Sequence, residues 1–168
     1  MNLLAVAEPL DNTYVLNWFK SLRESLGIEI IIGGKGQNTF DSLVEKLNSG
    51  KDICLLSERS IKKSGVATEF FGQLAAFPKG PVALSFKTGV PIIPTTMIKT
   101  NRGYRLRFNK PFYVPYFENE ATSIQYGLKT LSKSFEELLA LDINDWHSIQ
   151  PVWTLSLIHI SEPTRLRR

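Results

Sequence analysis

Residues 3–32 read LLAVAEPLDNTYVLNWFKSLRESLGIEIII. Leu3 to Ala7 is a short apolar run closed by Glu8-Pro9, the pattern of a buried strand. Asp11 or Asn12 can cap a following helix, since a short polar side chain satisfies the free N–H groups of a first turn. Val15, Trp18, Phe19, Leu22 and Leu26 then recur at helical spacing, which predicts an inward apolar face, and Gly27 ends the helix. Ile28 to Ile32 is β-branched and apolar, a second buried strand. The order strand, helix, strand decides the fold class: α/β, with parallel strands joined by helical crossovers.

The same alternation continues outward. Gly33-Gly34-Lys35-Gly36 reads as a loop, and a helix begins at Thr39 with Phe40, Leu43, Val44 and Leu47 inward. Ile53 to Leu56 is a third strand, and the lone cysteine, Cys54, fits a buried position in it. Residues 57–80 read as irregular, a long loop of the kind that carries sites at strand ends. Pro81 suits the first turn of a helix over 80–87 that stops at Gly89. Pro91 and Pro94 place the strand-like run 90–98 at a sheet edge or bulge. Asn101-Arg102-Gly103 turns into the alternating stretch Tyr104–Phe108, so 90–108 reads as a hairpin. Residues 119–140 form an amphipathic helix with Leu128, Leu131, Phe135, Leu138 and Leu139 on one face. The expected architecture is a layered α/β sheet with helices on its faces.

Bulk properties bound the function. The 168 residues make one domain of ordinary size, with 43% hydrophobic and 21% charged residues, which excludes a disordered chain and a coiled coil. Half of the net charge of +4 sits in the last fourteen residues, where Arg165, Arg167 and Arg168 face only Glu162. The body is therefore weakly basic: no nucleic-acid partner is expected, and mild attraction to an anionic membrane surface is allowed. One cysteine forms no internal disulfide, which suits a reducing setting. No apolar stretch approaches the roughly 20 residues that span a bilayer, and Leu3–Ala7 lacks the basic flank of a signal peptide. From about Leu155 the pattern breaks down, and residues 154–168 read as a non-native tail similar to a translated sequencing adaptor.

Several chemistries are missing from the sequence. It has no phosphate-binding Gly-x-x-x-x-Gly-Lys-Ser/Thr, no Gly-x-Ser-x-Gly elbow and no Cys/His cluster, so no metal site is expected. His159 lies in the tail, which leaves His147 as the one histidine that could act as a base, and a structural role near a helix end is its simpler reading. The stretch Ser57-Glu58-Arg59-Ser60-Ile61-Lys62-Lys63-Ser64-Gly65-Val66 follows the third strand. A carboxylate beside a guanidinium can form surface ion pairs. Alternatively, Arg59 can grip an anionic group while Glu58 orients a hydroxyl or a base. Phe70-Phe71-Gly72 and Phe77-Pro78-Lys79-Gly80-Pro81 could line an acyl groove or pack beneath the loop.

In order and spacing, Glu58-Arg59, Ser64-Gly65-Val66, Phe70-Phe71-Gly72, Pro78-x-Gly80-Pro81 and Thr88-Gly89-Val90-Pro91-Ile92-Ile93-Pro94 resemble the lysophospholipid acyltransferase-like superfamily, in its lipid A late acyltransferase branch. Arg23-Glu24-Ser25-Leu26-Gly27 and Asp145-Trp146-His147-Ser148-Ile149-Gln150-Pro151-Val152-Trp153 resemble its bacterial phosphatidylinositol mannoside acyltransferases. The resemblance covers nearly all of residues 3–153. It implies transfer of a fatty acyl chain from acyl-CoA or acyl carrier protein to a hydroxyl of a membrane glycolipid, with no cofactor, by a peripheral enzyme on the cytoplasmic face of the membrane. It implies a supporting catalytic role for Glu58. It also implies substrate-binding roles for Arg23, Arg59, Ser64, Phe70, Phe71, Gly72, Pro91 and Pro94.

The resemblance has two departures. The family's base is the histidine of a His-x-x-x-x-Asp motif lying before the strand that matches residues 3–7, and that motif does not occur here. Ser60 stands where relatives often carry Asp after the acid–Arg pair. The resemblance therefore implies that residues 1–153 are the C-terminal portion of an acyltransferase domain truncated at its N-terminus, and that this chain alone is inactive. Two alternatives remain: a lipid A type lauroyl or myristoyl transferase, and a non-catalytic α/β module that binds an anionic ligand through Arg23, Arg59, Lys62 and Lys63.

Overall fold

The computed structural model describes residues 3–33, 38–57, 65–146 and 152–153. Strand β1 (Leu3–Ala7) is the centre of a three-stranded parallel sheet, between β2 (Glu29–Ile32) and β3 (Asp52–Cys54). Val6 sits opposite Ile31 and Leu4 opposite Ile53, so the hydrophobic pattern sets the register. Helix α1 (Thr13–Ser25) crosses from β1 to β2, and helix α2 (Thr39–Asn48) crosses back past β1 to β3. Right-handed crossovers in opposite directions place the two helices on opposite faces of the sheet.

The face under α2 is closed. Leu4, Leu43 and Leu84 are buried there, with Val6, Ile31, Val44, Leu47, Ile53 and Leu55 packed around them. Phe40 is more exposed than its expected inward position, because the buried stripe centres on Leu43. The α1 face differs more. Asn12 caps α1 as expected, its side chain accepting from the N–H groups of Tyr14 and Val15. Yet no residue of α1 is buried. Val15, Trp18, Phe19, Leu22 and Leu26 are all exposed, Trp18 at 60%, while Leu16, Lys20 and Arg23 on the flank of that stripe are half-buried. The predicted apolar face exists, but it points away from the sheet. Cys54 is also exposed, because β3 turns Ile53 toward α2 and Cys54 to the opposite side.

Residues 66–77 are not irregular. They form an antiparallel hairpin of β4 (Val66–Phe70) and β5 (Gln73–Phe77). Thr68, Phe70, Ala75 and Phe77 point inward with period two. The two-residue turn Phe71-Gly72 has positive φ at both positions, 50° and 74°, as a tight hairpin requires. Only Gly72 advertises such a turn, and Phe71 hides it.

Helix α3 (Gly80–Thr88) starts with Pro81 in its first turn and ends on the left-handed Gly89, as expected. Strands β6 (Thr95–Thr100) and β7 (Gly103–Phe108) form the second hairpin. Helix α4 (Glu120–Leu139) closes a second core of Phe70, Phe77, Val82, Ile124, Leu128, Leu131 and Val152. Gly127 lets α4 approach α3 closely: a Cβ there would overlap Val82 Cγ1 and press on Val114.

Candidate functional site

The carboxyl ends of three parallel strands share one edge of the sheet, and in open α/β folds ligands bind in that crevice. The chain leaves β3 there. Ser57, the last described residue before the Glu58-Arg59 pair, is buried, and its hydroxyl donates to the carbonyl of Leu55 at 3.3 Å. Glu58, Arg59 and Ser64 lie outside the described residues, as does His147.

Chain returns at Gly65 into the β4–β5 hairpin, whose tip is fastened from two sides. Phe71 N–H donates to Glu136 Oε1 of α4 at 2.6 Å, and Lys133 Nζ holds Glu136 Oε2 at 2.8 Å. Burial pushes the Glu136 carboxyl up, but the Lys133 hydrogen bond, the Phe71 N–H and the Lys133 charge together hold it below the usual carboxylate range. Lys133 is raised in turn, chiefly by its hydrogen bond to Glu136. One turn earlier, Ser132 donates to the carbonyl of Glu69 and is fully buried. From the other side, Trp153 Nε1 donates to the carbonyl of Phe70 at 3.0 Å.

Within that clamp Phe70 is 0% exposed. Its ring lies 5.3 Å from Phe77, 5.9 Å from Trp146 and 6.1 Å from Trp153. The structure thus gives Phe70 a packing position with no surface left for a ligand, whereas Phe71 and Gly72 are exposed at the turn. Phe70, Phe71 and Gly72 are brought together. Arg23 stands apart from them on α1: its Nη1 donates to the carbonyl of Phe19 at 3.4 Å, and its guanidinium lies 5.2 Å from the Phe19 ring.

Pro91 and Pro94 flank a pinned crossing between α3 and β6. Ile92 exchanges both backbone hydrogen bonds with Phe112, at 2.8 and 3.0 Å. Ser85 donates to the carbonyl of Val90, and Asn109 N–H donates to that of Pro94. Asn109 Nδ2 then reaches Ser134 O and Glu137 Oε2 on α4. Pro91 is exposed and Pro94 is buried, so of the two only Pro91 presents surface.

The sequence reading passed over Ser132, Lys133 and Glu136. A signal was present: Ser132 interrupts the apolar stripe Leu128–Phe135 of α4, and Glu136 follows it by four residues. A cleft of about 430 Å³ beside α4 is lined by Val66, Lys79, Ala83, Glu120, Ala121, Ile124 and Gln125, none of them among the expected site residues. Among the described residues no helix is long and apolar enough to cross a membrane.

Residues 2–154 match the family model described as bacterial lipid A biosynthesis acyltransferase. The chain belongs to that family. Among curated proteins it is 31% identical over 153 residues to the phosphatidylinositol mannoside acyltransferase of Mycolicibacterium smegmatis strain mc(2)155, covering 90% of this chain and 49% of that protein. It is 30% identical to the protein of the same name from Mycobacterium tuberculosis strain CDC 1551, covering 90% of this chain and 47% of the relative. The chain spans about half the length of the curated relatives it matches. Family membership agrees with the resemblance drawn from the motifs around Glu58, Phe70 and Pro91.

Proposed function

We propose that this chain is the C-terminal portion of an enzyme that transfers a fatty acyl group from acyl-CoA, or acyl carrier protein, to a hydroxyl of a membrane glycolipid such as a phosphatidylinositol mannoside. The observation that carries this reading is the identity of about one residue in three with proteins of that name along 153 residues. In the proposed reaction the acceptor hydroxyl attacks the thioester carbonyl. A new ester forms, the thiol carrier leaves, and the hydroxyl proton passes to a general base. Glu58, next in sequence after Ser57, supports that base. Arg59 holds an anionic phosphate or polarises a sugar hydroxyl through its planar fork of donors. Arg23 is assigned to the same anionic substrate, and Ser64, Phe71, Gly72 and Pro91 to its surroundings. Phe70 and Pro94 serve by packing. The enzyme works at the membrane surface, peripherally and from the cytoplasmic side.

A second reading concerns only the carrier and the acceptor. The matched family is described by lipid A biosynthesis, so a lipid A type transfer from acyl carrier protein is the alternative. One assay tests both. Labelled acyl-CoA and acyl carrier protein are offered in turn to the parent protein, extended upstream of Met1, with a phosphatidylinositol mannoside or a lipid A precursor as acceptor. Transfer from acyl-CoA to the mannoside supports the first reading. Transfer only to the lipid A precursor supports the second, and no transfer to any lipid hydroxyl overturns both.

A further inference from the structure

Helix α1 and the β6–β7 hairpin each leave an apolar face uncovered, and their charges separate them. On α1 the exposed stripe is flanked by Lys20 and Arg23, and over residues 8–27 Glu8, Asp11 and Glu24 outnumber those two cations, so the segment is slightly acidic. The β6–β7 hairpin is different. Thr95 faces Phe108, Met97 faces Leu106 and Lys99 faces Tyr104 across the ribbon. Met97, Tyr104, Leu106 and Phe108 therefore share one side, and all four are more than half exposed. The other side carries Thr96, Ile98 and Thr100, half-buried where β6 leans on α4, and opposite them Arg107 and Arg105, both exposed. Residues 95–110 carry five cations, Lys99, Arg102, Arg105, Arg107 and Lys110, and no carboxylate.

We propose that the outer face of the β6–β7 hairpin is the surface that rests on an anionic phospholipid membrane. Met97, Tyr104, Leu106 and Phe108 enter the boundary between headgroups and acyl chains. Arg102, Arg105 and Arg107 extend their heads around the narrow ribbon to lipid phosphates, their stems lying along the apolar surface. The combination of apolar side chains with basic residues is what such a surface selects. The net charge of the ribbon is why this face, rather than that of α1, is assigned to lipid. The inference deepens the membrane-surface part of the proposed function and rests on it, but its test reads lipid binding and not turnover.

The 168-residue chain is floated with vesicles of phosphatidylcholine alone and of phosphatidylcholine mixed with phosphatidylglycerol. Binding is expected to the anionic vesicles and to fall with salt. The pair Arg105→Glu/Arg107→Glu is expected to lower the partition coefficient at least roughly tenfold. Leu106→Glu is expected to lower it as well, Arg105→Lys/Arg107→Lys to retain it, and Leu22→Glu on α1 to leave it unchanged. These positions are exposed, and circular dichroism checks that each variant is folded. Equal binding to neutral vesicles, or equal loss in Leu22→Glu, overturns the assignment. So does a concentration-dependent dimer that Leu106→Glu dissolves, which would give the face to a second copy. In a Cys54→Ala background, the thiol of a Leu106→Cys variant of the parent protein should react with maleimide in solution and be shielded by anionic vesicles. Shielding without vesicles would assign the face to another part of the protein and also overturn the proposal.

Discussion

Two adjacent phenylalanines at the tip of one hairpin carry opposite duties. Phe70 is sealed among Phe77, Trp146 and Trp153, while Phe71 sits in the left-handed region at φ 50°, partly exposed, with its ring 4.7 Å from that of Phe70. Phe70→Ala is expected to destabilise the fold by about 3–5 kcal/mol, the range for a large buried aromatic. Phe71→Asn should cost far less, because Asn tolerates positive φ and so offsets part of the lost contact with the Phe70 ring. Denaturant titration of the two variants checks the contrast. Glu136 supplies a second residue-scale prediction. Its carboxyl is held below the usual range, so its contribution is complete above the unfolded carboxylate pKa and is lost as the pH falls through the folded one. Glu136→Gln should cost about 1 kcal/mol at neutral pH, the charge assistance of one hydrogen bond. The gap between variant and parent should close below about pH 4, measured as unfolding free energy against pH.

At the scale of elements, the sequence disclosed what local chemistry dictates. The cap at Asn12, the Pro81 start and Gly89 stop of α3, and the β6–β7 ribbon all follow from side chains near in sequence. The β4–β5 hairpin was not legible, because a phenylalanine fills a turn position usually given to Asn or Gly. The direction of α1 was not legible either. Periodicity shows that an apolar face exists, but packing decides what it meets, and here the half-buried side carries Lys20 and Arg23. For the candidate site, Phe70-Phe71-Gly72 was found as a motif but not as a turn. Its clamp through Ser132 and Glu136 depends on a contact spanning more than sixty residues, which no local pattern reports. The approach of α3 to α4 is likewise tertiary, and it yields a prediction. Gly127→Ala should destabilise by about 1–2 kcal/mol despite the better helix propensity of Ala, because the added methyl must displace the buried Val82. Thermal unfolding of that variant checks it, and a rise in Tm would mean that the two helices part easily.

For the molecule as a whole, a parallel sheet ends its three strands on one carboxyl edge, with Ser57 just beyond β3, and two antiparallel hairpins follow in the chain. In sequence Glu58 and Arg59 follow Ser57 directly, and the family to which the chain belongs is named for acyl transfer. The chain carries no His-x-x-x-x-Asp, the motif that the resemblance assigns to the base. Its own turnover of acyl-CoA is therefore expected to be absent, and that of the parent protein to depend on Glu58. The most direct test is kcat/KM for acyl transfer by the parent protein and its Glu58→Gln variant, with the Tm of both recorded. The account predicts a loss of about 100-fold or more, the scale of a positioned acid–base group, at unchanged Tm. Activity within about twofold of the parent's, a difference worth only a few tenths of a kcal/mol in barrier, would contradict it.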